Sequence, residues 1–187
     1  MKQYLSTITG PDVNNGEGIR LTLWFQGCTH ACPGCHNPLT HEFVSDNTRK
    51  DFMPLFQDAG NLNVKIKSII EKELSRKDNN GRALYSGITI SGGDPLCGDN
   101  EGLKELADFI QWFRAKFFEM DIWLYTGFTV EFLKEHKPEI YNNIIKYCDI
   151  VVDGPFVLSI RDITLPFRGS SNQRIIKVSD LEFNDGH

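Results

Sequence analysis

Four short apolar runs in this chain each end in a polar turn that contains glycine. Leu21–Phe25 runs into Gln26-Gly27-Cys28, and Gly87–Ile90 runs into Ser91-Gly92-Gly93-Asp94. Ile122–Tyr125 is closed by Thr126-Gly127, and Asp149–Val152 by Asp153-Gly154-Pro155. Apolar runs of this length, bounded by turn signals, read as buried strands. Helical patterns lie between them. Asn63 is placed to cap a helix carrying Ile66, Ile69, Ile70 and Leu74, which ends before the turn Asp78-Asn79-Asn80-Gly81. Leu103, Leu106, Ala107, Ile110, Phe113 and Phe117 form the apolar face of a second helix. Thr129 caps a third, which Pro138 interrupts because its ring blocks an interior hydrogen bond. Helix then resumes to about Tyr147. Arg174–Val178 is a candidate further strand, and residues 37–63 give no clear pattern. Strands alternating with helices predict an α/β fold with a mostly parallel sheet. In such folds ligands bind beyond the C-terminal ends of the strands, where these glycine turns stand.

A length of 187 residues suits a single domain spanning 1–187. The acidic tail after about Val178 is expected to fray. The net charge of −5 argues against a nucleic-acid partner, which wants a basic face. No run of 18 apolar residues predicts a membrane span, and Met1-Lys2-Gln3-Tyr4-Leu5 does not resemble a secretory signal. The expected location is the cytoplasm. There, clustered cysteines are metal ligands more often than disulfides.

Three of the five cysteines, Cys28, Cys32 and Cys35, fall within eight residues as Cys-x3-Cys-x2-Cys. Three thiolates bind three irons of a cubane cluster and leave the fourth iron free for a substrate, whereas electron-transfer ferredoxins normally supply four cysteines. A structural zinc site closed by His30, His36 or His41 is the alternative, because structural zinc takes four protein ligands. Cys148 falls on an apolar helix face and reads as core. Cys97, two residues past Pro95, reads as a buried spectator thiol or a neighbour of the site.

At these residues a family resemblance becomes specific. Cys28-Thr29-His30-Ala31-Cys32-Pro33-Gly34-Cys35 resembles the cluster motif of radical S-adenosylmethionine enzymes, and Ser91-Gly92-Gly93-Asp94-Pro95 resembles their second, glycine-pair motif. Asn15–Arg20 is similar to an N-terminal segment of glycyl-radical-enzyme activases. Asp153-Gly154-Pro155-Phe156 and Arg168–Arg174 resemble segments of the branch acting on anaerobic ribonucleoside-triphosphate reductase. The resemblance implies an incomplete parallel β/α barrel of the radical S-adenosylmethionine type. It implies a [4Fe-4S] cluster on Cys28, Cys32 and Cys35, with S-adenosylmethionine held by Gly34, His36, Ser91, Gly92, Gly93 and Asp94. It further implies that a 5′-deoxyadenosyl radical abstracts hydrogen from a glycine loop of the large reductase subunit, with electrons from a flavodoxin-type donor. The chain departs from the wider superfamily at Gly34, where an aromatic residue is common, and at Asp94, where glutamate is usual. Both departures fit the reductase-activase branch. His36 stands where that branch often has tyrosine, and Glu17 where relatives often have proline.

Arg20 and Arg168 are accessory candidates, each read either as a clamp for a carboxylate of cofactor or partner or as a structural salt bridge. Asp153 either faces the site or caps a turn. Trp24, Trp112 and Trp123 read as core or surface aromatics rather than stacking platforms. A small-molecule radical enzyme of the carboxy-deazaguanine synthase kind is the second functional reading, and a zinc-binding module is the third.

Overall fold

The computed structural model describes residues 2–58 and 61–183. The chain runs β1 (Tyr4–Asp12), β2 (Arg20–Phe25), β3 (Met53–Pro54), β4 (Phe56–Asp58), β5 (Asn61–Leu62), α1 (Val64–Leu74) and β6 (Gly87–Gly92). It continues with α2 (Asn100–Lys116), β7 (Asp121–Tyr125), α3 (Val130–His136), α4 (Pro138–Asn143), β8 (Ile150–Asp153) and β9 (Arg174–Lys177). The main sheet has the order β3-β1-β2-β6-β7-β8-β9, and β4 and β5 form a separate pair. The fold is mixed α/β with a largely parallel central sheet.

The four glycine-terminated runs are the parallel strands β2, β6, β7 and β8, paired in that order. Their interior residues Leu21, Leu23, Phe25, Ile88, Ile90, Ile122, Leu124 and Val151 are almost wholly buried. Burial on both faces is why they read as continuous apolar runs. The sheet margins differ from the parallel expectation: β1, β3 and β9 all pair antiparallel. Strand β1 lies between β3 and β2 although its sequence gives little sign of a strand. Only Leu5 within it is fully buried, and its other positions are mostly half-buried or exposed.

The helices form where caps and periodicity place them. The Asn63 side chain accepts from the Lys65 amide at 3.0 Å, and the Thr129 hydroxyl accepts from the Phe132 amide at 3.3 Å. Each cap satisfies an amide that the first helical turn leaves without an internal partner. Pro138 occupies the start of α4, where its missing N–H costs nothing. Helices α1 and α2 bury Ile66, Ile70, Leu106, Phe109, Ile110 and Phe113 in the same core as the strands. At roughly 1.5–3 kcal/mol for each fully buried large side chain, this packing outweighs helix propensity in fixing both helices.

Past Val178 the described residues still pack on the core. Residues Val178–Asp180 make a further helical turn, Leu181 packs on the core, and the Phe183 ring stacks on Tyr141 at 4.7 Å. The Tyr141 hydroxyl also donates to the Glu182 carbonyl at 2.9 Å. The last part of the expected frayed tail, with His187, lies outside the described residues. No helix among the described residues is long and apolar enough to cross a membrane.

Candidate cluster and cofactor site

The end of β2 delivers the cysteine loop. Gly27 N–H donates to the Thr40 carbonyl at 2.8 Å and Cys28 N–H to the His41 carbonyl at 3.0 Å, which closes the loop at its base. Inside it the backbone turns through left-handed residues at Ala31 (φ 47°) and Gly34 (φ 73°). For alanine that conformation costs about 1–2 kcal/mol, so the loop is held against its own preference. Cys35 N–H donates to the Cys32 carbonyl at 3.1 Å, and Asn37 N–H points at Cys35 Sγ at 3.4 Å. Cys28, Cys32 and Cys35 are free and half-buried. A Cβ on Gly34 would sit 2.9 Å from Leu158, so this glycine lets the cysteine loop pack against the segment joining β8 to β9.

The glycine pair follows β6, and its glycines also let two loops pack closely. A Cβ on Gly92 would lie 2.6 Å from the Phe25 backbone, and one on Gly93 only 2.4 Å from the Gly27 carbonyl. Both residues let the turn close against the root of the cysteine loop. Asp94 then ties three loops together. Its Oδ2 accepts from the Thr126 hydroxyl at 2.8 Å and from Gly127 N–H at 2.9 Å, and it pairs with His30 Nε2 at 2.7 Å. Its Oδ1 accepts from Leu96 N–H at 2.9 Å. The carboxylate, 4% exposed, is thus engaged within the protein.

These loops enclose a cavity of about 640 Å³, a size that suits a small-molecule cofactor. Cys28, Cys32, Cys35, His36 and Ser91 through Asp94 all line it, whereas Gly34 is absent from its wall. Trp24, Tyr125, Phe156 and Phe167 supply an aromatic wall that the sequence did not mark as one. For Trp24 this departs from the core-or-surface reading. Arg168 also lines the cavity, and its Nε is buried with no hydrogen-bond partner, while its Nη1 donates to the Gln173 carbonyl at 3.1 Å. An unpaired buried donor is costly and wants an acceptor such as a carboxylate.

Two other candidates do not face the cavity. Arg20 is fully buried, with Nε on the Thr89 hydroxyl at 2.7 Å and Nη2 on the Ile88 carbonyl at 2.5 Å. Nη2 also pairs with Asp121 at 2.6 Å, and the guanidinium lies 5.5 Å from the centre of the Trp123 ring. Asp153 is fully buried, accepting from Val130 N–H at 2.9 Å and pairing with Arg174 Nη2 at 2.5 Å. Both are structural, and the carboxylate-clamp and site-facing readings fail for them because every charged atom has an internal partner.

The electrostatics follow from these contacts. The hydrogen bond to Asp94 pushes His30 up to about 10. Burial, with Arg161 nearby, lowers His36. The Cys97 side chain nearby lowers Cys28, while Cys28 and burial raise Cys97.

Residues 14–176 match the family described as a 4Fe-4S single cluster domain. The anaerobic ribonucleoside-triphosphate reductase-activating protein of Haemophilus influenzae is 34% identical over 173 residues, covering 92% of this chain and 94% of the relative. The activating protein of Escherichia coli K12 is 33% identical, covering 87% and 90%. That of phage T4 is 31% identical, covering 90% of each chain. This chain belongs to the family of anaerobic ribonucleoside-triphosphate reductase-activating proteins. In this member of the family the matched span takes in the cysteine loop, the glycine pair and Arg168 together. The zinc alternative is not favoured: the match is to a 4Fe-4S domain, and His30 is already engaged by Asp94. The three free thiols, the unpaired Arg168 donor and the size of the cavity fit an iron–sulfur cluster beside a carboxylate-bearing cofactor.

Proposed function

We propose that this activating protein binds a [4Fe-4S] cluster through Cys28, Cys32 and Cys35 and installs a glycyl radical on anaerobic ribonucleoside-triphosphate reductase. Cys28, Cys32 and Cys35 would hold that cluster, which would supply the electron for reductive cleavage of S-adenosylmethionine and so the radical chemistry directed at a glycine of the large reductase subunit. The observation that carries this reading is one cavity shared by three free thiols and the Ser91–Asp94 turn, with no fourth cysteine among the described residues of its wall.

The residues of the chain divide the remaining work. Asn37 N–H donates toward the Cys35 sulfur, the kind of hydrogen bond that tunes an iron–sulfur potential. Asp94 spends its carboxylate on His30, Thr126 and Gly127, so the Ser91–Asp94 turn meets the cofactor mainly through its backbone. His36 borders the cofactor from the cysteine loop, and Gly34 acts behind it by admitting Leu158. Arg168 Nε is the donor for the cofactor carboxylate. Trp24, Tyr125, Phe156 and Phe167 keep water from the reacting carbon, where a stray proton or hydrogen source would quench the chemistry.

The sheet is read as an incomplete β/α barrel forming one domain. Its parallel strands β2, β6, β7 and β8 end in antiparallel β9 rather than closing, which leaves a side open for a polypeptide loop. A flavodoxin-type protein in the cytoplasm is the proposed electron donor. The test is anaerobic purification, metal analysis and incubation with dithionite and S-adenosylmethionine. The expected result is iron and sulfide in equal amounts and formation of 5′-deoxyadenosine. Stoichiometric zinc without iron would contradict the reading.

A further inference from the structure

Cys97 has no place in the cluster motif, yet the fold sets it against the first cysteine of that motif. It arrives on the turn Pro95–Cys97 that follows Asp94. Its Sγ accepts from Thr29 N–H at 3.5 Å and lies 3.1 Å from the Thr29 hydroxyl. Thr29 directly follows Cys28, so these contacts seat the Cys97 sulfur beside the first cysteine of the loop. Protein bonds alone fix both partners: Asp94 N–H donates to the Gly27 carbonyl at 2.9 Å, Cys97 N–H to the Asp94 carbonyl at 2.9 Å, and Cys28 N–H to the His41 carbonyl at 3.0 Å. The contact therefore does not depend on a bound cluster.

We propose that Cys28 and Cys97 form a reversible disulfide in the cluster-free protein. Two S–H bonds break and one S–S bond forms. The two electrons and two protons pass to a low-molecular-weight disulfide, which is reduced to its two thiols, and excess thiol reverses the exchange. With Gly27 bonded to Asp94 and Thr29 bonded to Cys97, the turn carrying Cys97 is held on both sides of Cys28, and little backbone movement brings the two sulfurs to bonding distance. The consequence, that oxidised protein cannot take up iron until reduced, rests on Cys28 being a cluster ligand. The pairing itself does not.

The experiment oxidises the chelator-treated, full-length chain with oxidised glutathione and maps its tryptic peptides. Residues 21–49 carry Cys28, Cys32 and Cys35, and residues 83–104 carry Cys97. The expected main product is these two peptides joined, at their summed mass less two hydrogens, with fragmentation placing the bond at Cys28. Iron and sulfide uptake by this oxidised protein is expected to require added thiol, and a Cys97→Ser variant treated the same way is expected to lose that requirement. A bond internal to 21–49, a bond from Cys32 or Cys35 to Cys97, or glutathione adducts alone would overturn the proposal. If the joined peptides form but the reduced chain takes up no iron, the pairing stands and the ligand assignment falls.

Discussion

His30 Nε2 lies 2.7 Å from Asp94 Oδ2, and this pair fastens the cysteine loop to the turns after β6 and β7. His30 stands between Cys28 and Cys32, so the position of two thiolates depends on a carboxylate 64 residues away. Asp94→Asn is expected to destabilise the chain by about 2 kcal/mol, the range for removing a charge from a buried hydrogen-bonded group. The pH dependence has a definite sign. His30 has a folded pKa of about 10, above its ordinary 6.5. The stability it contributes is full below about pH 6.5 and is lost as pH rises through about 10. Denaturant titrations across that window should show this slope in the cluster-free wild type and a flatter one in Asp94→Asn. NMR titration of His30 should show its pKa falling toward 6.5 in the variant.

Arg20 should behave as a core residue. It is fully buried and holds Thr89, the Ile88 carbonyl and Asp121. Arg20→Ala leaves those acceptors unpaired and is expected to cost about 3–5 kcal/mol. Urea denaturation measures this, and a loss below about 1 kcal/mol would show that water replaces the guanidinium without difficulty.

Arg168 should behave in the opposite way. Its Nη1 donates to Gln173, and among the described residues its Nε has no acceptor. Arg168→Ala is expected to change the melting temperature little and to weaken S-adenosylmethionine binding by roughly tenfold or more, the value of one charge-assisted hydrogen bond. Calorimetry on the reconstituted protein reads the affinity, and unchanged binding would move Arg168 from the cofactor to the partner surface.

Gly93→Ala tests the packing of the two motifs on each other. The added methyl would stand 2.4 Å from the Gly27 carbonyl and 2.8 Å from the Thr40 carbonyl, both at the root of the cysteine loop. Backbone atoms cannot yield cheaply, so the loop must shift. Iron bound per chain after reconstitution is expected to fall several-fold while far-ultraviolet circular dichroism keeps its helical signal.

Much of this arrangement is written in local pattern. The parallel strands carry two-sided burial, which shows as unbroken apolar runs, and Asn63, Thr129 and Pro138 act through neighbours only a few residues away. Strand β1 was hidden because only Leu5 in it is fully buried, leaving little periodicity to read. Arg20 and Asp153 were open to a site role because a buried, fully paired charge is the same letter as an exposed one. Only the fold brings Asp121 and Arg174 to them. Likewise Trp24, Tyr125, Phe156 and Phe167 come from four separate segments, and no linear spacing records that they share a cavity wall. The cysteine triplet and the glycine pair were legible because their chemistry demands fixed short spacings. The additional bond from Asp94 to His30 was not, since it depends on where the two turns meet.

The central claim is that Cys28, Cys32 and Cys35 arm a cofactor whose radical is passed to a glycine on another chain. Electron paramagnetic resonance on a mixture of this protein, anaerobic ribonucleoside-triphosphate reductase, S-adenosylmethionine and a reductant tests it most directly. The predicted result is a doublet glycyl radical signal on the reductase that disappears with Cys28→Ala, Cys32→Ala or Cys35→Ala. A cluster-loaded protein that cleaves S-adenosylmethionine yet leaves the reductase without that signal would contradict it.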